Sequence, residues 1–351
     1  MVTVNRRVVA SWLAATAAVP LSAGRARAQG EPSGVRRRID VHHHILPPAY
    51  LSTMGAQAIG APAPNRETPR WQVSDSLDAM DRNGITTAIV SVSAPGVLMP
   101  DAGRTKALAR ACNEFAGQMV TDHPTRFGMF ACLPLPDVDA AMKEIEHAFE
   151  SLKTDGIGLM TNYADRYLGD PAFAPVFDEL NRRKAVVYVH PTSCNCNAGI
   201  LAVQPYSLIE FPHDSTRAIT SLLFSGTFER CPDIRFIFSH AGGTLPYLAT
   251  RIAVIGTLDR DLARRVPGGV MPALKKLYYD TASSANPITF GALMKLVTPR
   301  NVVLGTDFPF IPEAGMKATL DGLRGLGLGD SDLRAIEGEN AAGLFTRLVA
   351  R

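Results

Sequence analysis

The chain has 351 residues, of which 46% are hydrophobic and 20% are charged. This composition is ordinary for a folded globular protein and excludes an intrinsically disordered chain. The first 28 residues hold four arginines and no acidic residue, so the formal net charge of +3 becomes −1 for the rest of the chain. Without a basic surface, the chain is not expected to bind nucleic acid.

The first 28 residues have the pattern of an export signal. Arg6 and Arg7 precede an apolar run over residues 8–21, and a small-x-small sequence ends at Ala28. The run is short for a bilayer span, so we expect removal of residues 1–28 and no membrane association of the mature chain. The adjacent arginines favour the twin-arginine route and a periplasmic or secreted protein, and a disordered leader is the alternative.

Short runs of β-branched and apolar residues alternate with amphipathic stretches along the remaining chain. The short runs predict eight strands, over residues 38–44, 87–91, 127–133, 156–161, 185–190, 235–239, 277–281 and 302–306. The amphipathic stretches predict helices, among them residues 74–83, 104–122, 137–152, 172–183 and 214–229. Such alternation is typical of parallel sheets in the α/β class.

The number of strands predicts one (β/α)8 TIM barrel over residues 36–351, as a single domain after the signal peptide. A doubly wound open sheet is the alternative, but the G-x-G-x-x-G turn of many such folds does not follow the first strand. The Pro- and Gly-rich residues 45–71 are predicted to form a loop that reaches over the top of the barrel.

Five cysteines are scattered over the chain, at Cys112, Cys132, Cys194, Cys196 and Cys231. Their small, odd number argues against a disulfide framework, and the single residue between Cys194 and Cys196 is poor geometry for a bridge. We interpret all five as structural or incidental thiols.

Two histidines end the first predicted strand on the same face. The sequence Ile39-Asp40-Val41-His42-His43-His44 alternates its side chains between the two faces of a strand. His42 and His44 therefore point the same way and can bind one metal ion. His43 points to the opposite face, where a structural role is expected.

Three further polar residues stand at the ends of other predicted strands, namely His190, His240 and Asp307. The carboxyl ends of all eight strands converge at one face of a barrel, so these residues join the two histidines of the first strand in one space. Three imidazoles and a carboxylate with an open position suit one first-row divalent ion. We favour Zn²⁺, with Mn²⁺ as the alternative.

These motifs resemble those of the metal-dependent amidohydrolase superfamily. The resemblance covers nearly the whole mature chain and is carried by the H-x-H of the first strand, His190-Pro191, His240-Ala241-Gly242-Gly243 and Gly-Thr-Asp-Phe-Pro at residues 305–309. More narrowly, they are similar to the aminocarboxymuconate-semialdehyde decarboxylase-like branch. That branch includes decarboxylases of 6-methylsalicylate and γ-resorcylate.

The resemblance implies a distorted barrel with one catalytic metal ion and assigns roles to several residues. The positions that match the metal ligands are His42, His44, His190 and Asp307. His240 matches the general acid/base histidine, and Asp307 is a second candidate for proton transfer. Arg251 matches an arginine that holds the substrate carboxylate and comes from a neighbouring subunit, which implies a homodimer.

One departure from the muconate-type members bears on the substrate. Ser76 and Asp78 occupy positions where basic residues would be expected, so a second anchor for a dicarboxylate is missing. Residues 71–96 and Thr161-Asn162-Tyr163 look closer to the methylsalicylate decarboxylase type. The resemblance thus favours a small monocarboxylate such as an aromatic hydroxy acid, with Asn162 and Tyr163 as substrate-binding candidates.

Three functions are compatible with this set of residues. The first is metal-dependent, non-oxidative decarboxylation of a small carboxylic acid, with Arg251 neutralising the carboxylate and His240 or Asp307 moving the proton. The alternative is hydrolysis of a lactone or amide with a metal-activated water. A non-enzymatic binding protein is the third, and it predicts the loss of at least one of the five site residues, all of which are present.

Overall fold

The computed structural model describes residues 36–194 and 205–349, and the predicted signal peptide lies outside them. Eight parallel strands, β1 to β8, neighbour one another in chain order in one sheet. They are Ile39–Ile45, Thr87–Val92, Phe127–Cys132, Gly156–Met160, Val186–His190, Arg235–Phe238, Tyr278–Asp280 and Val302–Val303. Each of them overlaps one of the eight predicted strands. A separate antiparallel pair, Asn162–Tyr163 with Arg166–Tyr167, follows β4.

The sheet curls until its first strand meets the segment that follows its last one. The amide of Val41 donates to the carbonyl of Leu304 at 2.9 Å, and the amide of His44 donates to that of Phe308 at 2.7 Å. The result is a nearly closed eight-stranded parallel barrel of the TIM type, which excludes the open doubly wound sheet.

The strands are buried on both faces because the barrel interior covers one face and the surrounding helices cover the other. All seven residues of β1 are buried. An interior cluster that includes Val41, Phe130 and Tyr188 extends to Phe345 and Leu348, close to the carboxyl terminus. The last helices thus cover the end of the barrel at which the strands begin, which leaves the opposite end for chemistry.

Helices surround the barrel between the strands. The α-helices of the described residues are Pro48–Met54, Ala56–Gly60, Val73–Asn83, Ala102–Asp122, Val138–Glu150, Ala174–Arg182, Glu210–Phe224, Thr227–Arg230, Leu245–Leu258, Arg260–Arg265, Val270–Leu274, Pro287–Leu296, Glu313–Gly325, Asp330–Arg334, Asn340–Leu344 and Thr346–Val349. Short 3₁₀ turns occupy Pro171–Phe173, His240–Gly242 and Pro299–Asn301, and a π-helical turn occupies Ala335–Glu339. None of these helices is long and apolar enough to cross a membrane.

Two predicted segments differ from the structure. Residues 45–71 contain two short helices as well as loop, because Pro48 stands at the first helical position, where its missing amide proton costs nothing. The predicted helix 214–229 begins earlier, at Glu210, and is divided in two by Gly226, whose φ is +77°. Two of the longer helices begin at carboxylates, since Asp101 and Asp137 accept hydrogen bonds from the amides of Arg104 and Ala140.

The cysteine interpretation needs one correction. Cys112, Cys132 and Cys231 are buried free thiols, as expected. Cys194, however, is disulfide-bonded. Spacing alone was a poor guide here, because a bridge depends on local backbone geometry. Cys196 lies outside the described residues.

Candidate metal centre

Five predicted site residues meet at the carboxyl end of the barrel. β1 contains His42 and His44, and β5 ends at His190. His240 lies in the turn that follows β6, and Asp307 lies in the segment that follows β8. The first three imidazoles are almost completely buried. Donor atoms of His42, His190, His240 and Asp307 all lie within 4.8 Å of one another.

The two carboxylate oxygens of Asp307 face different histidines. Oδ1 lies 3.3 Å from Nε2 of His42 and 3.2 Å from Nε2 of His44, and these two nitrogens are 3.0 Å apart. Oδ2 instead lies 3.3 Å from Nε2 of His240. Asp307 therefore connects a compact group around His42 and His44 with the more exposed His240.

The imidazoles are oriented for metal binding by oxygens on their outer side. Nδ1 of His42 lies 2.8 Å from Oδ2 of Asp280, and Nδ1 of His190 lies 2.8 Å from the carbonyl of Pro191. Nδ1 of His44 lies 3.3 Å from the carbonyl of Ser91. An acceptor at Nδ1 leaves the lone pair of Nε2 free, which is the arrangement that histidine metal ligands have. The residues present thus fit one divalent ion.

The charge distribution also favours a cation. Burial alone would lower the pKa of His42, but the nearby carboxylates of Asp280 and Asp307 raise it to about 10. Burial and the neighbouring imidazoles lower the pKa of His190 well below its usual range. The pKa of Asp307 is also far below its usual range, because the charge of His42 and three histidine hydrogen bonds outweigh the effect of burial. The carboxylate of Asp307 is therefore ionised, and a bound cation would compensate its charge.

His240 stands in a strained turn. Its φ is +53° and that of Ala241 is +57°, in a region that few non-glycine residues adopt. Gly243 follows with a φ of +68°, and a Cβ there would lie 2.0 Å from the carbonyl oxygen of Pro212. This close approach explains why the turn contains glycine. Among the described residues, Nδ1 of His240 has no hydrogen-bond partner.

His43 points away from the cluster, as the alternation of β1 predicts. Its Nδ1 lies 3.1 Å from Oδ2 of Asp40, and its Nε2 lies 2.9 Å from Oγ of Ser76. Asp40 also accepts hydrogen bonds from the amide and the hydroxyl of Thr306, at 3.1 and 2.6 Å. Through Asp40, His43 therefore supports the backbone next to Asp307, whose φ is +64°.

A cavity of about 710 Å³ opens above these residues and includes His190, His240 and Asp307 in its wall. Residues 62–64, from the segment predicted to cover the barrel top, line it as well. Much of the remaining wall is aromatic, aliphatic or hydroxylic, with Phe211 and Phe310 as its aromatic members. Among the described lining residues there is no lysine or arginine. This cavity is large enough for a benzoate-sized molecule, and the described part of the same chain offers it neither lysine nor arginine.

The three predicted substrate contacts lie elsewhere. Arg251 is exposed on the helix Leu245–Leu258 and lines a separate surface cleft. Asn162 donates to Asp214 at 3.0 Å, and the hydroxyl of Tyr163 accepts from the amide of Met160 at 3.0 Å. Both line a smaller cavity of about 280 Å³. Within one chain, none of the three reaches the cavity that contains His240.

Asp280, which ends β7, was not among the predicted site residues. Its side chain is completely buried and contacts His42, as well as the hydroxyl of Tyr188 at 3.2 Å. The signal that could have found it is the one that identified Asp307, a carboxylate at the carboxyl end of a predicted strand.

The nearly closed barrel and its cluster of histidines and a carboxylate define a metal-dependent barrel enzyme. A family model described as amidohydrolase matches residues 39–347. Decarboxylase yanB of Aspergillus niger is 38% identical over 329 residues, which is 88% of each chain. The 6-methylsalicylic acid decarboxylase of Penicillium expansum is 38% identical over 315 residues, covering 89% of this chain and 97% of the fungal one.

A solved structure described as amidohydrolase II superposes with a TM-score of 0.82 at 28% identity, over 88% of this chain and 99% of that one. The chain belongs to the amidohydrolase family. The resemblance inferred from the motifs is thereby confirmed. The named relatives are decarboxylases, which supports the predicted class of metal-dependent carboxy-lyase over the alternative hydrolase.

Proposed function

We propose that this chain catalyses the metal-dependent, non-oxidative decarboxylation of a small aromatic hydroxy acid of the 6-methylsalicylate type. The observation that carries the proposal is the cavity, which combines the histidine–aspartate cluster at its base with aromatic and hydroxyl-bearing walls. The 38% identity to a 6-methylsalicylic acid decarboxylase over nearly the whole of both chains supports this substrate class. A binding protein without catalysis is disfavoured because all five site residues meet in one place.

The residues we assign to the metal ion are His42, His44, His190 and Asp307. The reason for this choice is that Oδ1 of Asp307 and the Nε2 atoms of His42 and His44 lie within 3.3 Å of one another. Zn²⁺ is favoured by three imidazoles and one carboxylate, with Mn²⁺ as the alternative. When bound, the ion supplies a Lewis acid that holds and neutralises the substrate carboxylate and its neighbouring hydroxyl.

His240 is proposed to move the proton. In decarboxylation, the bond between the ring carbon and the carboxylate breaks, CO₂ leaves, and the electron pair stays on the ring carbon. That carbon must then receive a proton. His240 lines the cavity, and its Nε2 lies 3.3 Å from Oδ2 of Asp307, so its imidazole is positioned to deliver that proton.

The residues that line the cavity are the reason that we propose a substrate with a single carboxylate. Phe211 and Phe310 offer aromatic surface for a benzene ring. The hydroxyls of Ser283, Ser284 and Thr289 line the same cavity and can bond a phenolic hydroxyl. Because neither lysine nor arginine is among the described residues that line the cavity, a second carboxylate on the substrate would have no such partner within the chain.

The test is to incubate the protein, loaded separately with Zn²⁺ and Mn²⁺, with 6-methylsalicylate, salicylate and γ-resorcylate. We expect stoichiometric CO₂ and the corresponding phenol, with the highest kcat/KM for a monohydroxy acid. A panel of aromatic lactones and amides serves as the comparison. Hydrolysis of that panel without any release of CO₂ from the acids would contradict the proposal.

We propose in addition that the active unit is a homodimer in which Arg251 serves the cavity of the partner subunit. The helix that carries Arg251 exposes several large apolar side chains, with Tyr247 at 86%, Val254 at 53% and Leu258 at 77% exposure. A cluster of this kind marks a protein interaction surface. A second copy would cover it and could supply the cation that each cavity lacks.

Mixing inactive variants tests this arrangement. Arg251→Ala and Asp307→Asn, unfolded and refolded together, should regain roughly a quarter of wild-type activity, because half of the random dimers hold one intact site of two. The control pair His190→Ala and Asp307→Asn should regain none, since both changes lie in the same chain's cavity. Equal failure of the two mixtures would show that Arg251 does not act across subunits.

We propose, finally, that the protein is exported to the periplasm or secreted. The support is the sequence pattern of Arg6, Arg7, the apolar run over residues 8–21 and the small residues before Ala28. A twin-arginine route would export the chain already folded, so the metal ion could be acquired before export.

A further inference from the structure

The buried carboxylate of Asp280 contacts both a proposed metal ligand, His42, and the proposed proton-transfer residue, His240. Asp280 is fully buried at the end of β7. Its Oδ2 accepts from Nδ1 of His42 at 2.8 Å and from the hydroxyl of Tyr188 at 3.2 Å. Its Oδ1 accepts from the backbone amides of His240 at 2.8 Å and Ala282 at 3.0 Å. These four bonds use the full accepting capacity of a carboxylate.

The contact with His42 determines which ring nitrogen faces the other donors. A carboxylate can only accept, so Nδ1 of His42 must carry a proton. The lone pair of the neutral ring is then on Nε2, the atom that lies 3.3 Å from Oδ1 of Asp307. Asp280 itself contacts the outer side of the ring, where it supports the imidazole without competing for the ion.

The hydrogen bond from His240 to Asp280 is made by the backbone amide of His240, so it fixes the backbone at that residue. The amide of His240 is held at the residue whose φ is +53°, the first of the left-handed residues in the turn. A strained conformation persists only where its surroundings hold it in place. Oδ1 of Asp280 provides such a hold, which keeps the imidazole of His240 beside Asp307.

The close packing of Asp280 against His42 requires a glycine at position 305. Gly305 lies between β1 and β7, and a Cβ on it would lie 2.8 Å from Cβ of His42 and 2.9 Å from Cβ of Asp280. Both contacts are with the first side-chain atoms, which cannot rotate away. Gly305 therefore permits the close approach of His42 and Asp280.

We propose that Asp280 is a positioning residue that sets the tautomer of His42 for metal binding and anchors the backbone of His240 for proton transfer. This inference rests on the proposed metal-dependent function. It assigns one residue to the alignment of two groups that come from different strands of the barrel.

Asp280→Asn separates these two roles. The side chain of asparagine has a single oxygen, and this oxygen must accept from the backbone N–H groups of His240 and Ala282, because those groups can only donate. The NH₂ group then faces Nδ1 of His42, which has to become an acceptor, and the ring proton moves to Nε2. We expect the Kd for Zn²⁺ to rise about 10- to 100-fold, the range found for residues that orient a metal ligand.

The measurements are Zn²⁺ affinity by competition with a chelator and the ¹H–¹⁵N NMR signal of the His42 Nδ1 proton in the metal-free protein. That signal should be present in the wild type and absent in Asp280→Asn. Tyr188→Phe is the matched control, since it removes one donor to Oδ2 and leaves the bond to His42, so its zinc affinity should stay within about threefold of wild type.

Gly305→Ala provides a second test without any change of charge. The added methyl group separates His42 from Asp280 and should weaken zinc binding in the same direction. Asp280→Asn and Gly305→Ala proteins that bind zinc as tightly as wild type, with the Nδ1 proton of His42 retained, would overturn the inference. A wild type that binds no divalent metal would instead contradict the proposed function itself.

Discussion

Asp307→Asn should reduce kcat/KM by about a thousandfold or more, because it removes the one carboxylate shared by the metal ligands and His240. An amide offers one oxygen where the structure uses two, Oδ1 toward His42 and His44 and Oδ2 toward His240. Whichever way the amide is oriented, its NH₂ group faces at least one imidazole that needs an acceptor.

Asparagine is the appropriate replacement at this position. The φ of Asp307 is +64°, and asparagine adopts that left-handed conformation more readily than most residues. The variant should therefore fold, which circular dichroism and thermal unfolding can verify. Asp321→Asn, at an exposed carboxylate paired with Lys317, is the control and should keep full activity. Decarboxylation by Asp307→Asn at the wild-type rate would refute the role assigned to this carboxylate.

His240→Asn should lower kcat by about 100- to 10,000-fold, the usual contribution of general acid–base catalysis, while the metal content stays at one ion per chain. The reason is that Nε2 of His240 faces Oδ2 of Asp307, whereas His42 and His44 face Oδ1, and that His240 is partly exposed to the cavity. His44→Asn is the matched comparison. Nε2 of His44 lies 3.2 Å from Oδ1 of Asp307, among the proposed metal ligands, so this variant should lose the ion.

The comparison of these two variants also decides between two ligand sets. One donor atom from each of His42, His190, His240 and Asp307 lies within 4.8 Å of all the others, so the second ligand set is one that includes His240. If His240 were a ligand, elemental analysis would find the ion depleted in His240→Asn. Retention of the ion together with a loss of kcat would assign His240 to proton transfer.

The barrel and most of the metal centre were predictable from the sequence. Parallel strands buried on both faces appear as short apolar runs, so all eight strands were recognisable. Period-two alternation separated His43 from His42 and His44. His190, His240 and Asp307 could be placed beside them because strand ends converge in a barrel.

Features that depend on partners distant in sequence were not predictable. Asp280 could have been placed at the site by its position at a strand end, but its contact with His42 could not, because the two are 238 residues apart and only the folded barrel brings them together. Asn162 and Tyr163 stay predictions as substrate contacts; the side-chain amide of Asn162 donates to Asp214, and the hydroxyl of Tyr163 accepts from the amide of Met160, contacts that the sequence did not indicate. The disulfide of Cys194 and the helix at Pro48 likewise depend on local backbone geometry that residue spacing does not specify.

The central claim is that this barrel decarboxylates an aromatic hydroxy acid with the help of one divalent ion. The most direct test measures CO₂ release from 6-methylsalicylate by the same sample in three states: as purified, stripped with a chelator, and reloaded with one equivalent of Zn²⁺ or Mn²⁺. We predict that stripping reduces the rate to background and that one equivalent of ion restores it. CO₂ release at an undiminished rate by the fully stripped protein, or none in any state, would contradict the account.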